Sequence, residues 1–134
     1  MNVYTGRRED GRCFVYAGTK PLDPRNRVRN HSPDGFEWGY GGSGPAQLAL
    51  AILCQHFGVP LNVKEPGIWA SAEPGFHDTP LGKTLYAYQR FKALVVQHLP
   101  HDGWVLTGEE VKNALRKIQD ERPESPYLVV EDEP

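Results

Sequence analysis

His31-Ser32-Pro33-Asp34-Gly35-Phe36-Glu37-Trp38-Gly39-Tyr40-Gly41-Gly42-Ser43-Gly44-Pro45-Ala46-Gln47-Leu48-Ala49-Leu50-Ala51-Ile52-Leu53-Cys54-Gln55-His56-Phe57 decides how this chain is read. Ser32 to Gly35 has turn chemistry, with Pro33 presetting φ and Gly35 at the exit. Phe36, Trp38 and Tyr40 alternate with Glu37 and Gly39, the period of a strand. A glycine-rich loop follows, and Pro45 suits the first turn of a helix with Ser43 or Gly44 as cap. From Ala46 to Leu53 the one polar residue is Gln47, so the helix Pro45–Phe57 is expected to be buried nearly all round.

Working towards the N-terminus, Arg25, Arg27 and Arg29 recur at every second position, and an extended backbone would point all three guanidinium groups the same way. Before them, Val3-Tyr4-Thr5 and Cys13-Phe14-Val15-Tyr16 flank Glu9-Asp10-Gly11, which predicts a β-hairpin. Towards the C-terminus, Gly58 to Gly82 holds four prolines and four glycines, which excludes a long helix. Within it, Ile68, Trp69 and Phe76 imply that the segment is pinned in places or carries anchors for a partner. Leu85, Tyr88, Phe91, Val95 and Leu99 make one stripe of a helix over Thr84–Leu99, ended by Pro100. Trp104-Val105-Leu106 reads as a short extended segment. Thr107 and Glu110 form a capping box for a helix ending at Asp120. Beyond Glu121 the chain is acidic and broken by proline, and a flexible tail over 121–134 is expected, with Tyr127 to Val130 as a candidate strand.

These elements predict an α+β fold: a small antiparallel sheet on three helices in one domain, residues 1–120, with 58–83 as a long irregular insertion. The chain's 134 residues suffice for one hydrophobic core. The net charge of −2 gives no global reason for nucleic-acid or membrane binding. Its distribution is uneven: residues 1–31 carry seven Lys/Arg against three acids, a net of +4. The longest apolar run, Leu48 to Cys54, is too short to span a bilayer. No signal peptide is recognised at the start, and the two cysteines, Cys13 and Cys54, form no CxxC pair. A cytoplasmic protein with no membrane role is expected.

The stretch Arg29 to Leu53 closely resembles the signature of an uncharacterised bacterial domain family met in phages, plasmids and actinobacterial or proteobacterial genomes. The resemblance extends to Val3–Arg8 and to Tyr88–Leu115. That family carries no assigned activity, so the resemblance implies context rather than mechanism. Its members join the two long helices by a short connector, whereas Gly58 to Lys83 is much longer here. The segment is thus a candidate contact surface that relatives lack.

Four sets of residues carry possible chemistry. The loop Gly39 to Gly44, with Gly41, Gly42, Ser43 and Gly44 at a helix N-terminus, is an anion cradle or simply a tight connection. It is not a Walker loop, since no Lys-Ser/Thr follows and Pro45 removes a donor. Phe36, Trp38 and Tyr40 are a stacking platform fed by the arginines, or core. His31, Asp34 and Glu37 cluster by the turn as the acid–base candidates. Trp69 is the anchor candidate in the insertion. No HExxH or Cys cluster calls for a metal, and no cofactor is implied. The leading expectation is a small non-enzymatic binding protein of phage or mobile-element type, modulating or inhibiting a host protein or nucleoprotein complex. The alternatives are a nucleotide or phosphate binder using Gly39–Gly44, and a small hydrolase or transferase built on His31, Asp34, Glu37 and Ser43.

Overall fold

The computed structural model describes residues 2–129. Its sheet grows from the predicted hairpin. Strand β1 (Val3–Glu9) turns through Asp10 and Gly11, both at positive φ, into β2 (Arg12–Ala17). A two-residue strand β3 (Lys20–Pro21) pairs with β2. On the other side of β1 lies β4 (Gly103–Thr107), so the antiparallel order is β3-β2-β1-β4. Tyr4 and Leu106 face each other in this register, as do Gly6 and Trp104, and all four are buried. Between them in sequence, Thr5 stands opposite both Val105 and Tyr16 on the outward face.

Helix α1 (Ser43–Phe57) occupies the centre, as its composition requires. Every residue from Gly44 to Cys54 is buried. Burial of side chains such as Leu48, Leu50, Ile52 and Leu53 stabilises the fold by about 1.5–3 kcal/mol each. Gly58, at φ 78°, ends the helix in the left-handed conformation that glycine adopts without penalty. On one side α1 packs against α3 (Pro80–Leu94). On the other the sheet reaches it through Tyr4, whose hydroxyl donates to the Ile52 carbonyl at 3.4 Å. Helix α4 (Gly108–Asp120) carries the expected capping box and buries Val111, Ala114, Leu115 and Ile118. The fold is α+β, with all long helices serving one core and no described helix packed on the opposite face of the sheet.

Two expectations are corrected. Phe36 to Tyr40 is not a strand. Gly39 takes φ 87° and donates to the Val96 carbonyl, and Trp38 turns into the core while Tyr40 is 52% exposed. Among the described residues this stretch joins no strand of the sheet, and its side chains go to separate places instead. Helix α3 begins at Pro80 rather than Thr84 because the Thr79 hydroxyl caps it, accepting from the Gly82 N–H, and Pro80 sits where a missing N–H is harmless. It ends at Leu94, with a 3-10 turn at Val96–His98 before Pro100. In the described part of the tail, Gln119 Oε1 accepts from the backbone N–H of Leu128 and Val129, and both side chains are buried. Tyr127 to Val129 forms no strand, and Val130 onward lies outside the described residues.

Candidate functional site

Gln47 explains the first half of the signature. Its buried amide donates to the carbonyls of Pro24 at 2.5 Å and Arg29 at 3.0 Å. Its oxygen accepts from the backbone N–H of His31 at 2.7 Å and Ser32 at 3.1 Å. All four hydrogen-bonding positions of the side chain are thereby used. The loop 24–32 is clamped to α1 by one residue.

This clamp overturns the expected arginine row. Residues 25–29 coil, with Val28 N and Arg29 N both donating to the Arg25 carbonyl, so the three side chains diverge. Arg25 stands at φ 59°, is buried, and donates to the Val59 carbonyl at 2.7 Å. Arg27 is exposed. Arg29 bonds Glu65 at 2.9 Å and the Tyr88 hydroxyl at 3.2 Å. That hydroxyl also lies 2.8 Å from His31 Nε2. A phenol that accepts from Arg29 can donate to His31 only if the imidazole is neutral. Burial, with the charges of Arg29 and Lys92, lowers the His31 pKa from its ordinary value and favours that state.

Glu37 and Trp38 are held by a second clamp, Arg8, which sequence reading had not singled out. Arg8 Nη1 meets both Glu37 oxygens, at 3.0 and 3.1 Å, and the guanidinium lies 4.9 Å from the Trp38 ring centroid. Arg8 Nε and Trp38 Nε1 both donate to the His101 carbonyl at 3.0 Å. Trp38 meets Trp104 edge-on at 5.4 Å. Two glycines permit this packing: a Cβ on Gly6 would lie 2.3 Å from the Trp104 ring, and one on Gly44 2.6 Å from Glu37 Cβ.

Between the β1–β2 turn and the signature loop lies a polar cavity of about 310 Å³. Arg12, Cys13, Ser32, Asp34 and Glu37 are among its walls. Asp34 and Arg12 are exposed and available to a ligand. Glu37 already serves Arg8. Burial, then the neighbouring Glu37 carboxylate, pushes the Cys13 thiol up to about 11, so it is protonated at neutral pH and a poor nucleophile. The cavity can hold a small polar group by hydrogen bonds and charge. A larger, apolar groove of about 550 Å³ lies between the end of α3, β4 and α4.

His31, Asp34 and Glu37 are therefore not one constellation. Asp34 and Glu37 share the cavity, whereas His31 is committed to Tyr88, and among the described residues no hydrogen bond joins any of them to Ser43. The aromatic platform is dispersed as well: Trp38 is core, Phe36 half-buried and Tyr40 exposed. In the glycine loop the helix cap is Gly42 rather than Ser43 or Gly44, and it has no capping side chain. Gly41 and Ser43 are exposed and Gly44 is buried. Trp69 is 86% exposed, beside Ile68 at 83%. Among the described residues, no group of three or more His, Cys, Asp and Glu side chains is placed to hold a metal ion.

Fold and site together define a compact α+β scaffold whose signature residues are spent chiefly on holding loops to α1 and β1. A family model described as a family of unknown function (DUF6166) matches residues 4–64, and this part of the chain is similar to that family. Every residue lining the polar cavity lies within that match, and the apolar groove and Trp69 lie outside it. No curated protein and no solved structure matches the chain. No helix among the described residues is long and apolar enough to cross a membrane.

Proposed function

We propose that this is a small non-enzymatic binding protein of the kind carried by phages and mobile elements. In this reading it acts in the cytoplasm, modulating or inhibiting a host protein or nucleoprotein complex. The genomic setting rests on the signature's resemblance. The binding role rests on one observation, the presentation of Ile68 and Trp69. They sit on α2 (Ile68–Ser71), a single helical turn, and both are more than four-fifths exposed. Apolar groups of this size gain nothing from water and are enriched where partners dock.

The turn is held out from both ends. On one side Val59 is buried, Glu65 N donates to the Arg27 carbonyl, and the Glu65 carboxylate pairs with Arg29. On the other, a 3-10 turn at Phe76–His77–Asp78 is seated on α3, where a Cβ on Gly82 would meet the Phe76 carbonyl at 1.9 Å. An anchored loop loses less entropy on binding than a free one. Affinity purification from the host, comparing the parent with an Ile68→Ala/Trp69→Ala variant, tests the reading. The variant should melt like the parent, since neither side chain is buried, and lose the partner. A partner retained at equal abundance would refute it.

The phosphate-binding alternative draws on the uncapped N-terminus of α1 at Gly42. It requires calorimetric heat on titrating phosphate or nucleotide, removed by Gly42→Ala. The hydrolase alternative finds least support, because His31 and Glu37 serve Tyr88 and Arg8.

A further inference from the structure

The face of the sheet away from the helices carries a second arrangement, which meets the signature loop only where Arg12 and Phe14 border the polar cavity. Phe14 and Tyr16, two residues apart on β2, project to the same side. Arg7 on the adjacent strand stands opposite Phe14, and its guanidinium carbon lies 5.6 Å from the Phe14 centroid and 5.5 Å from that of Tyr16. Thr5 and Val105 continue the row across β1 and β4, with Val105 62% exposed. The helices cover the other face, so these rings are not core.

We propose that this face binds single-stranded nucleic acid, with bases stacking on Phe14 and Tyr16 and the Arg7 guanidinium between them. Rings and guanidinium planes accept any base, since every base has a π-face. Residues two apart on a strand are separated by roughly 7 Å. The bases of a duplex rise only ~3.4 Å per step and keep their faces inside the stack. The platform therefore suits an unstacked single strand. Arg12, two residues before Phe14 on β2, adds a second exposed guanidinium to the same face. Of the acids on this side, Glu9 is bound by Arg7 at 3.1 Å, and Asp34 lines the polar cavity with Arg12 and Phe14. This surface is on different elements from Ile68 and Trp69, and the inference stands apart from the proposed protein contact.

The test uses the full chain and fluorescein-labelled 12-mers of oligo(dT) and oligo(rU), with a 12-bp duplex as comparison, followed by fluorescence anisotropy. Binding should be tighter to the single strands than to the duplex and weaken roughly ten-fold between 50 and 200 mM salt, for two to three phosphate contacts. Phe14→Ala and Tyr16→Ala should each weaken it at least about five-fold, whereas Tyr16→Phe, which keeps the ring, should not. Trp69→Ala should leave it unchanged, which separates this surface from the proposed protein contact. Circular dichroism melts establish that each variant is folded. No binding at 100 μM, equal binding of duplex, or affinity indifferent to the folded Phe14 and Tyr16 variants would overturn the proposal. So would sedimentation as a dimer that Phe14→Asp dissociates, because a second copy would then be the occupant.

Discussion

At the scale of single residues, the signature's polar side chains act as clamps, and Gln47 is the clearest. Gln47→Glu keeps the shape but replaces two donors with an acceptor against the carbonyls of Pro24 and Arg29. It also places a charge in a fully buried position. The expected loss is at least ~3 kcal/mol, seen as a lower urea midpoint, since each buried unsatisfied group costs about 1–3 kcal/mol. His31 gives a pH prediction. Its folded pKa lies below the ordinary 6.5, so on acidification the unfolded chain takes up the proton first. Its stabilising contribution is complete above about 6.5 and is lost as pH falls through the interval down to the folded pKa. His56, whose pKa is lowered by burial and then by the charge of Lys112, acts in the same direction. The melting temperature should therefore drop below about pH 6.5, and His31→Gln should flatten that drop without abolishing it.

At the scale of elements, α1 is the member the rest cannot do without. Leu50→Asp sets an unpaired carboxylate among side chains with no exposure and should remove the cooperative thermal transition. A melt unchanged by circular dichroism would contradict the burial of α1. The junction at Gly82 behaves differently. Gly82→Ala forces its Cβ onto the Phe76 backbone, which cannot rotate aside as a side chain would. The 3-10 turn at Phe76–His77–Asp78 should lift from α3 while the core stays folded. Hydrogen exchange should then rise at residues 76–79, with protection in α1 retained.

For the whole molecule, the boundary between scaffold and insertion matters most. The sequence suggests removing Gly58–Lys83, but Val59 is buried, Glu65 pairs with Arg29, and α3 begins at Pro80. The dispensable part is narrower. Replacing residues 66–75 with a Gly/Ser linker should keep the melting temperature within a few degrees, because no residue of α2 is buried, yet abolish capture of the partner. Loss of folding would make the segment structural, and intact capture would remove its proposed role.

Features set by neighbours along the chain were legible without a structure. The hairpin, the capping box at Thr107 and Glu110, and the all-apolar α1 each follow from spacing and composition within a few residues. Side-chain partners were not legible, because a residue's type states how many hydrogen bonds it needs and tertiary packing states with whom. Gln47 finds its acceptors 18 and 23 residues away, and Arg8 reaches Glu37 across 29. Strand pairing is equally nonlocal: Phe36, Trp38 and Tyr40 alternate like a strand but pair with none among the described residues. Phe14 and Tyr16 lie on the open side of a sheet completed only when β4 arrives from the far end of the chain. The sequence by itself determined the elements and the identity of the central helix. Only the tertiary structure decided which polar residues are spent on scaffolding and which surfaces remain free, because burial and pairing depend on distant parts of the chain meeting in space.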